Sequence, residues 1–288
     1  MTSTGRPQRR AFSGNGQEGE VCFSCGNPER DLPTRKSGMR KISIQYRFDL
    51  PDGNEEIFDL SLDATRIELL DNIPAHPPAW TALGFHQCPH CPLSVERHPH
   101  CPLAANLVRI VSRFDRFVSY ETIFVKVIIG GKTISQTTSV QAAVSSMMGL
   151  VIATCGCPHT QFFKPMAFFH LPLASEEETV YRATSMYLLA QYFIARQGGQ
   201  FEQDFSGLME IYRNIHTVNV AIAERLRAAS ETDSSVNAII ILDMFAKALP
   251  YAIKESLDEV GPLFAPYVEK WSTPPCPLAE HSDPESYS

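Results

Sequence analysis

The sequence contains no apolar run long enough to cross a membrane. Its best stretch, Met147–Ala153, falls far short of the roughly 18–20 residues that a span requires. The arginines near its start precede no apolar segment, so we expect no secretory signal. Basic residues do not predominate: the formal net charge is −7, which disfavours a protein that coats nucleic acid by charge. These absences predict a cytoplasmic protein without a membrane span, and nucleic acid is not an expected partner.

The chain also lacks the short motifs that identify common enzyme classes. It has no phosphate-binding glycine loop, no nucleophile elbow, no pair of zinc-binding histidines around a glutamate, and no kinase signature. The pair Gly130-Gly131 is therefore interpreted as a hairpin turn. The sequence leaves open whether the protein is an enzyme, what its oligomeric state is, and whether it has a protein partner.

The order of apolar residues predicts an α+β protein. Alternation over Lys41–Leu62 is typical of a β-hairpin, Arg66–Leu70 is a candidate third strand, and Thr122–Ile129 with Lys132–Thr138 predicts a second hairpin. The pattern becomes helical from Val140 onward. We therefore expect N-terminal antiparallel β-hairpins and a Cys/His module, packed on a C-terminal α-helical bundle.

Composition divides the chain into three parts. Residues 1–38 and 272–288 are rich in small and polar residues and are predicted to be disordered tails. Residues 39–271 are predicted to form a single α+β domain. Its strands, Cys/His module and one helix lie in residues 39–138, and its other helices lie in residues 139–271.

Several helices have recognisable ends. The sequence Ser175-Glu-Glu-Glu178 is a capping box that begins a helix over Glu176–Arg196. Because this helix is apolar nearly all round, we expect it to be buried at the centre of the bundle. Replacing Leu188 or Leu189 with Ala should then cost about 2–5 kcal/mol. The other predicted helices are Leu103–Phe117, Leu208–Ala229 and a helix from Asp233 through Leu249, where Pro250 kinks or divides it.

Cysteine is the most informative residue type. The segment Phe85–Leu103 holds three of the eight cysteines and four of the nine histidines. Cys88 and Cys91 have the spacing that lets two sulfurs approach one ion from a single turn. Proline follows Cys88, Cys91 and Cys101, and Pro102 is expected to begin a helix with Cys101 as its N-cap.

Three thiolates do not complete a tetrahedral site, so a fourth ligand is expected from another segment. Cys157 is the favoured donor, with Cys155 or His159 as substitutes. Zinc is the favoured metal and an iron–sulfur cluster is the alternative, since both accept four sulfurs. Buried free cysteines and redox disulfides also remain open. Cys22, Cys25 and Cys276 are not expected to take part.

Several segments resemble a family of uncharacterised bacterial proteins of unknown function. The resemblance rests on His-Gln-Cys-Pro-His-Cys-Pro-Leu, His-Pro-His-Cys-Pro-Leu, Gly-Cys-Pro-His-Thr and Ser-Glu-Glu-Glu-Thr-Val-Tyr-Arg, and it covers about Ile42 to Tyr267. It implies a bacterial, cytosolic protein and brings no activity with it.

Two functions are consistent with these patterns. In the first, a Cys₄ site stabilises the fold of a non-enzymatic metal-binding protein whose helices present a partner surface. In the second, a metalloenzyme or redox protein combines the site with nearby histidines and with polar residues of the bundle. The candidate polar residues are Arg182, Asn214, Asn237, Asp243 and Lys247, together with His98, His100 and His159. Three ligands facing an open pocket with Arg182 or Asp243 would favour the enzyme.

Overall fold

The computed structural model describes residues 40–50, 52–70, 72–202, 204–230 and 233–271. Both predicted tails, with Cys22, Cys25 and Cys276, lie outside these residues. Within them the strands form one antiparallel sheet in the order β3-β2-β1-β4-β5. The strands are β1 (Lys41–Asp49), β2 (Glu55–Asp63), β3 (Leu69–Leu70), β4 (Thr122–Ile129) and β5 (Lys132–Ser139).

Alternation of side chains explains why one face of the sheet is buried. In β1, Ile44, Tyr46 and Phe48 are buried, whereas the residues between them are partly exposed. Gly130 and Gly131 both have positive φ, as the two-residue turn between β4 and β5 requires. Both predicted hairpins are therefore confirmed.

The predicted third strand, Arg66–Leu70, is much shorter in the structure. Asp63 accepts hydrogen bonds from the amides of the second and third residues that follow it, and Ile67 has a φ of 52°. This local turn occupies the first part of the predicted strand, so only Leu69–Leu70 pairs with β2.

The described residues contain seven α-helices, as expected of an α+β protein. Phe114 of the first helix packs edge-on against Phe48 and stacks on Phe58, with ring centroids 5.0 and 5.7 Å apart, respectively. This aromatic group joins the sheet to the helical layer. The helices are α1 (Pro102–Phe114), α2 (Val140–Thr154), α3 (Lys164–Phe168), α4 (Glu176–Arg196), α5 (Ser206–Ala229), α6 (Ser234–Val260) and α7 (Ala265–Trp271).

Most helix ends agree with the sequence prediction. Cys101 is the N-cap of α1 with Pro102 in its first turn, and Ser175 and Glu178 form the predicted capping box of α4. Two ends differ. The first helix ends at Phe114 rather than Phe117, and α6 continues to Val260, so Pro250 does not divide it.

The predicted burial of α4 is wrong. Leu188 and Leu189 are 39% and 56% exposed, and Phe193 is 51% exposed. The buried stripe of this helix is narrow and consists of Val180, Ala183, Thr184, Tyr187 and Gln191. Because apolar residues occupy both the buried and the exposed face of α4, the sequence pattern does not indicate which face packs inward.

The buried side chains form two groups. The larger core lies between the sheet, α1, α2 and parts of α5 and α6, and it includes the cysteine-bearing loops. A smaller core joins α4, α5 and α6. No described helix is long and apolar enough to cross a membrane. The fold thus places the cysteine loops at the larger core.

Candidate metal centre

Five cysteines lie within the described residues, and all are free thiols. Cys101, Cys155 and Cys157 are buried, whereas Cys88 and Cys91 are partly buried. All five pack in or against the larger core. The structure therefore gathers cysteines from three separate parts of the sequence into one region.

The loop that carries Cys88 and Cys91 is a tight turn. The backbone amide of Cys91 donates a hydrogen bond to the carbonyl of Cys88 over 3.0 Å. His90, which lies between them, stacks on His159 with ring centroids 3.9 Å apart. His159 Nε2 also donates to the carbonyl oxygen of His90 over 3.0 Å. Since His159 is two residues beyond Cys157, these contacts join the first cysteine turn to the second.

Cys101 reaches the same region through the start of α1. Its backbone amide donates to the Thr81 carbonyl over 2.8 Å, and its carbonyl accepts from the Ala105 amide. Its side chain makes no capping hydrogen bond and packs in the larger core. The adjacent His100 is also engaged, because its Nδ1 lies 2.7 Å from the Thr81 hydroxyl.

A fully buried arginine supports this region. Arg225 on α5 is 2% exposed. It donates to the carbonyls of Trp80 and Ala82 over 2.8 Å and to the carbonyl of Leu83 over 2.9 Å. Among the described residues, no carboxylate forms a salt bridge with it. Its positive charge is therefore buried with only neutral hydrogen-bond acceptors.

The electrostatics link this cation to the cysteines. Burial lowers the pKa of Arg225, while Cys101, Cys88 and Cys91 act to raise it. Burial, together with Cys101, Cys157 and Cys91, raises the pKa of Cys88 to about 12, and Arg225 opposes this increase. Burial likewise raises the pKa of Cys157 to about 11. These thiols are thus protonated at neutral pH, and any metal that binds them must release protons.

Cys155, a predicted substitute ligand, has contacts of its own. Its thiol donates to the Ile152 carbonyl over 3.1 Å, lies 3.8 Å from the Thr160 hydroxyl, and accepts from the Cys157 amide over 3.5 Å. Burial raises its pKa. The Cys155 side chain therefore contacts only residues within five positions of it among these three partners.

The four favoured cysteines do not form a ready-made site. Among the described residues, no group of three or more Cys, His, Asp or Glu side chains is arranged to hold a metal ion. The donor set suits zinc or an iron–sulfur cluster, because both take thiolates from tight turns. Metal binding at Cys88, Cys91, Cys101 and Cys157 thus remains a prediction.

Sequence reasoning missed two residues here. Arg225 follows Val218 and Ile222 at helical spacing, so its place on an apolar stripe was the signal available. The second is His90, which the sequence does not distinguish from an exposed histidine. In the structure its Nε2 lies 3.2 Å from the Asn214 carbonyl, and its Nδ1 is buried without a partner in the described part of the chain.

The polar side chains of the bundle bond to groups other than the described cysteines. Asp243 pairs with Lys247, four residues later on α6, at 3.0 Å and with His216 on α5 at 2.7 Å. Arg182 donates to the carbonyls of Met166 and Phe169 and lines a cavity of about 560 Å³. No described cysteine lines that cavity, so the expected combination of open pocket, Arg182 and cysteine ligands is not what the structure brings together. Asn237 bonds Ser119 and Asp233, and Asn214 bonds Glu210.

Comparison with known proteins identifies a family but no activity. A model described as a domain of unknown function (DUF6901) matches residues 44–265, which is well over half of the chain. The chain therefore belongs to this family. No curated protein and no solved structure matched it.

Proposed function

We propose that this protein binds one metal ion through Cys88, Cys91, Cys101 and Cys157, and that the ion stabilises its fold. Zinc is the favoured ion. The observation that carries the proposal is that three cysteine-bearing segments lie together beside the buried Arg225, and that the His90–His159 contact joins two of them.

Charge complementarity supports this proposal. Four thiolates around a divalent ion carry excess negative charge, which is costly to bury unless a cation lies nearby. Arg225 supplies a cation that the described carboxylates do not neutralise, and Cys101, Cys88 and Cys91 are the groups that act on its pKa. Metal binding would thus give this buried guanidinium a negatively charged neighbour.

The position of the cysteines explains why the ion would stabilise the fold. Cys88, Cys91 and Cys101 precede β4 and β5, whereas Cys157 follows α2. One ion bound to all four would link segments on either side of the second hairpin. Because such a site does not exist in the unfolded chain, metal-binding energy becomes folding energy.

The separation from the large cavity favours a stabilising role over a catalytic one. A catalytic zinc keeps one position open to substrate, yet the cavity lined by Arg182 contains no described cysteine. Three of the five described cysteines are also buried. An iron–sulfur or redox protein remains the alternative, which a visible spectrum distinguishes because a cluster absorbs near ~400 nm.

Single serine substitutions test the proposal. Serine at Cys88, Cys91, Cys101 or Cys157 should lower both the metal content and the melting temperature of the anaerobically purified full chain. Cys155→Ser is the matched control, since Cys155 and Cys157 are 7% and 8% exposed, and it should keep its metal.

The outcomes are separable. Loss of metal from Cys155→Ser but not from Cys157→Ser would move the fourth ligand by two residues. Metal-free wild-type protein, or full metal in all four variants, would overturn metal binding at these four cysteines. Serine at Cys22, Cys25 and Cys276 should change neither measurement.

A further inference from the structure

The cavity of about 560 Å³ is lined mainly by residues of α2 to α6, with two from β5, and no described cysteine lines it. Its volume falls within the range of about 300–1,000 Å³ that is usual for small-molecule sites. Most of its wall is apolar, including Leu150, Phe163, Met166, Leu242 and Phe245. A cavity of this size and lining suits the body of a small apolar molecule.

Small residues on α2 leave this space open. Ala142, Ser146 and Gly149 recur at helical spacing and line the cavity. A Cβ atom at Gly149 would lie 3.7 Å from Leu242 on α6, which is ordinary contact distance. A larger side chain at this position would therefore extend into the cavity while the helix remains intact.

An unpartnered amide marks the polar part of the wall. Asn219 is 2% exposed, and its Nδ2 has no hydrogen-bond partner among the described residues. It lines the cavity seven residues after Tyr212, on the same face of α5. A buried donor without an acceptor is costly, so Asn219 is suited to receive an oxygen atom from a ligand.

Tyr212 and Arg182 supply further hydrogen-bond donors to the cavity wall. Burial raises the pKa of Tyr212, so its hydroxyl stays protonated. Arg182 contributes a cation, although Glu178 also lines the cavity and its carboxylate bonds the Ser175 amide. Burial lowers the pKa of His170 to about 3, so its ring is neutral, and its Nε2 lies 2.6 Å from the Tyr46 hydroxyl.

We infer that this cavity binds a small apolar molecule that ends in a hydrogen-bond-accepting oxygen, a carbonyl or a carboxylate. The unpartnered amide of Asn219 would donate to the oxygen, and the apolar wall would cover the rest. This site is independent of the proposed metal centre, so it can succeed or fail without affecting that proposal.

Calorimetric titration of the full chain with decanoate, 2-decanone and 1-decene tests the inference. The three probes share an apolar chain, but only the first two carry an accepting oxygen. At least one of those two should bind, with at least tenfold higher affinity than 1-decene. Tighter binding of decanoate than of 2-decanone would identify a carboxylate ligand, and the reverse order would identify a carbonyl ligand.

Three variants make the test specific. Asn219→Leu should weaken binding of the oxygen-bearing probe at least tenfold by removing the donor, and Gly149→Leu should do so by filling the cavity. Val220→Leu, at the exposed position beside Asn219, should bind as the wild type does. A melting curve for each variant verifies folding. No binding of either oxygen-bearing probe, equal binding of 1-decene, or wild-type affinity in folded Gly149→Leu would overturn the inference.

Discussion

At the scale of single residues, Arg225 determines how the cysteine region is built. Its guanidinium donates hydrogen bonds to the carbonyls of Trp80, Ala82 and Leu83. The carbonyl of Thr81, in the same segment, accepts a hydrogen bond from the backbone amide of Cys101. Arg225 therefore fixes the segment that positions Cys101. An apolar side chain at this position would leave those carbonyls buried without donors. A single long-range residue thus supports both the local backbone and the charge balance of the proposed metal centre.

Replacing Arg225 with Met should therefore destabilise the protein by about 3 kcal/mol or more, because each buried carbonyl left unsatisfied costs roughly 1–3 kcal/mol. Urea unfolding measures the change. Arg225→Lys keeps the charge but not the planar set of donors, so it should recover only part of the loss. A cost under about 0.5 kcal/mol for Arg225→Met would contradict this role.

His170 gives a second prediction at this scale. Burial, together with the charge of Arg182, lowers the pKa of His170 from 6.5 to about 3. Between pH 6.5 and pH 3 this histidine is therefore protonated more readily in the unfolded chain than in the folded protein. The neutral ring therefore contributes stability that is complete above pH 6.5 and is lost as the pH falls toward 3. Urea unfolding at pH 7 and pH 5 should show this loss, and His170→Gln should reduce it. An identical pH dependence in the variant would show that other groups are responsible.

At the scale of elements, α4 shows what a local pattern can and cannot predict. Its ends were predictable, because the bonds between Ser175 and Glu178 depend only on adjacent residues. Its orientation was not, because Leu189 and Phe193 are as apolar as the residues that pack inward. The helix ends follow from local chemistry, whereas the packed face depends on α5 and α6.

This distinction leads to a prediction for two residues of the same helix. Leu189→Ala should now cost less than about 0.5 kcal/mol, since the side chain is largely exposed. Val180→Ala should cost at least about 1 kcal/mol, because Val180 is 2% exposed in the smaller core. Urea unfolding at low protein concentration compares them. Equal costs would mean that the two faces of α4 are wrongly assigned.

At the scale of the whole molecule, the α+β class followed from the change of period after Val140, and both hairpins followed from alternation. The meeting of Arg225 with residues 80–83 did not, because 142 residues separate it from Leu83 and periodicity carries no information about such pairings. The grouping of the cysteines was predicted from spacing and proline placement. The stacking of His90 on His159, which joins two of their turns, had no sequence signal.

The proposed metal centre requires that four sulfurs from three cysteine-bearing segments bind one ion. X-ray absorption spectroscopy of the metal in the purified full chain tests it most directly. We predict zinc surrounded by four sulfur atoms at about 2.3 Å, with one sulfur lost or replaced in Cys157→Ser. A shell dominated by nitrogen or oxygen, or a chain that carries no metal under anaerobic purification, would contradict the account.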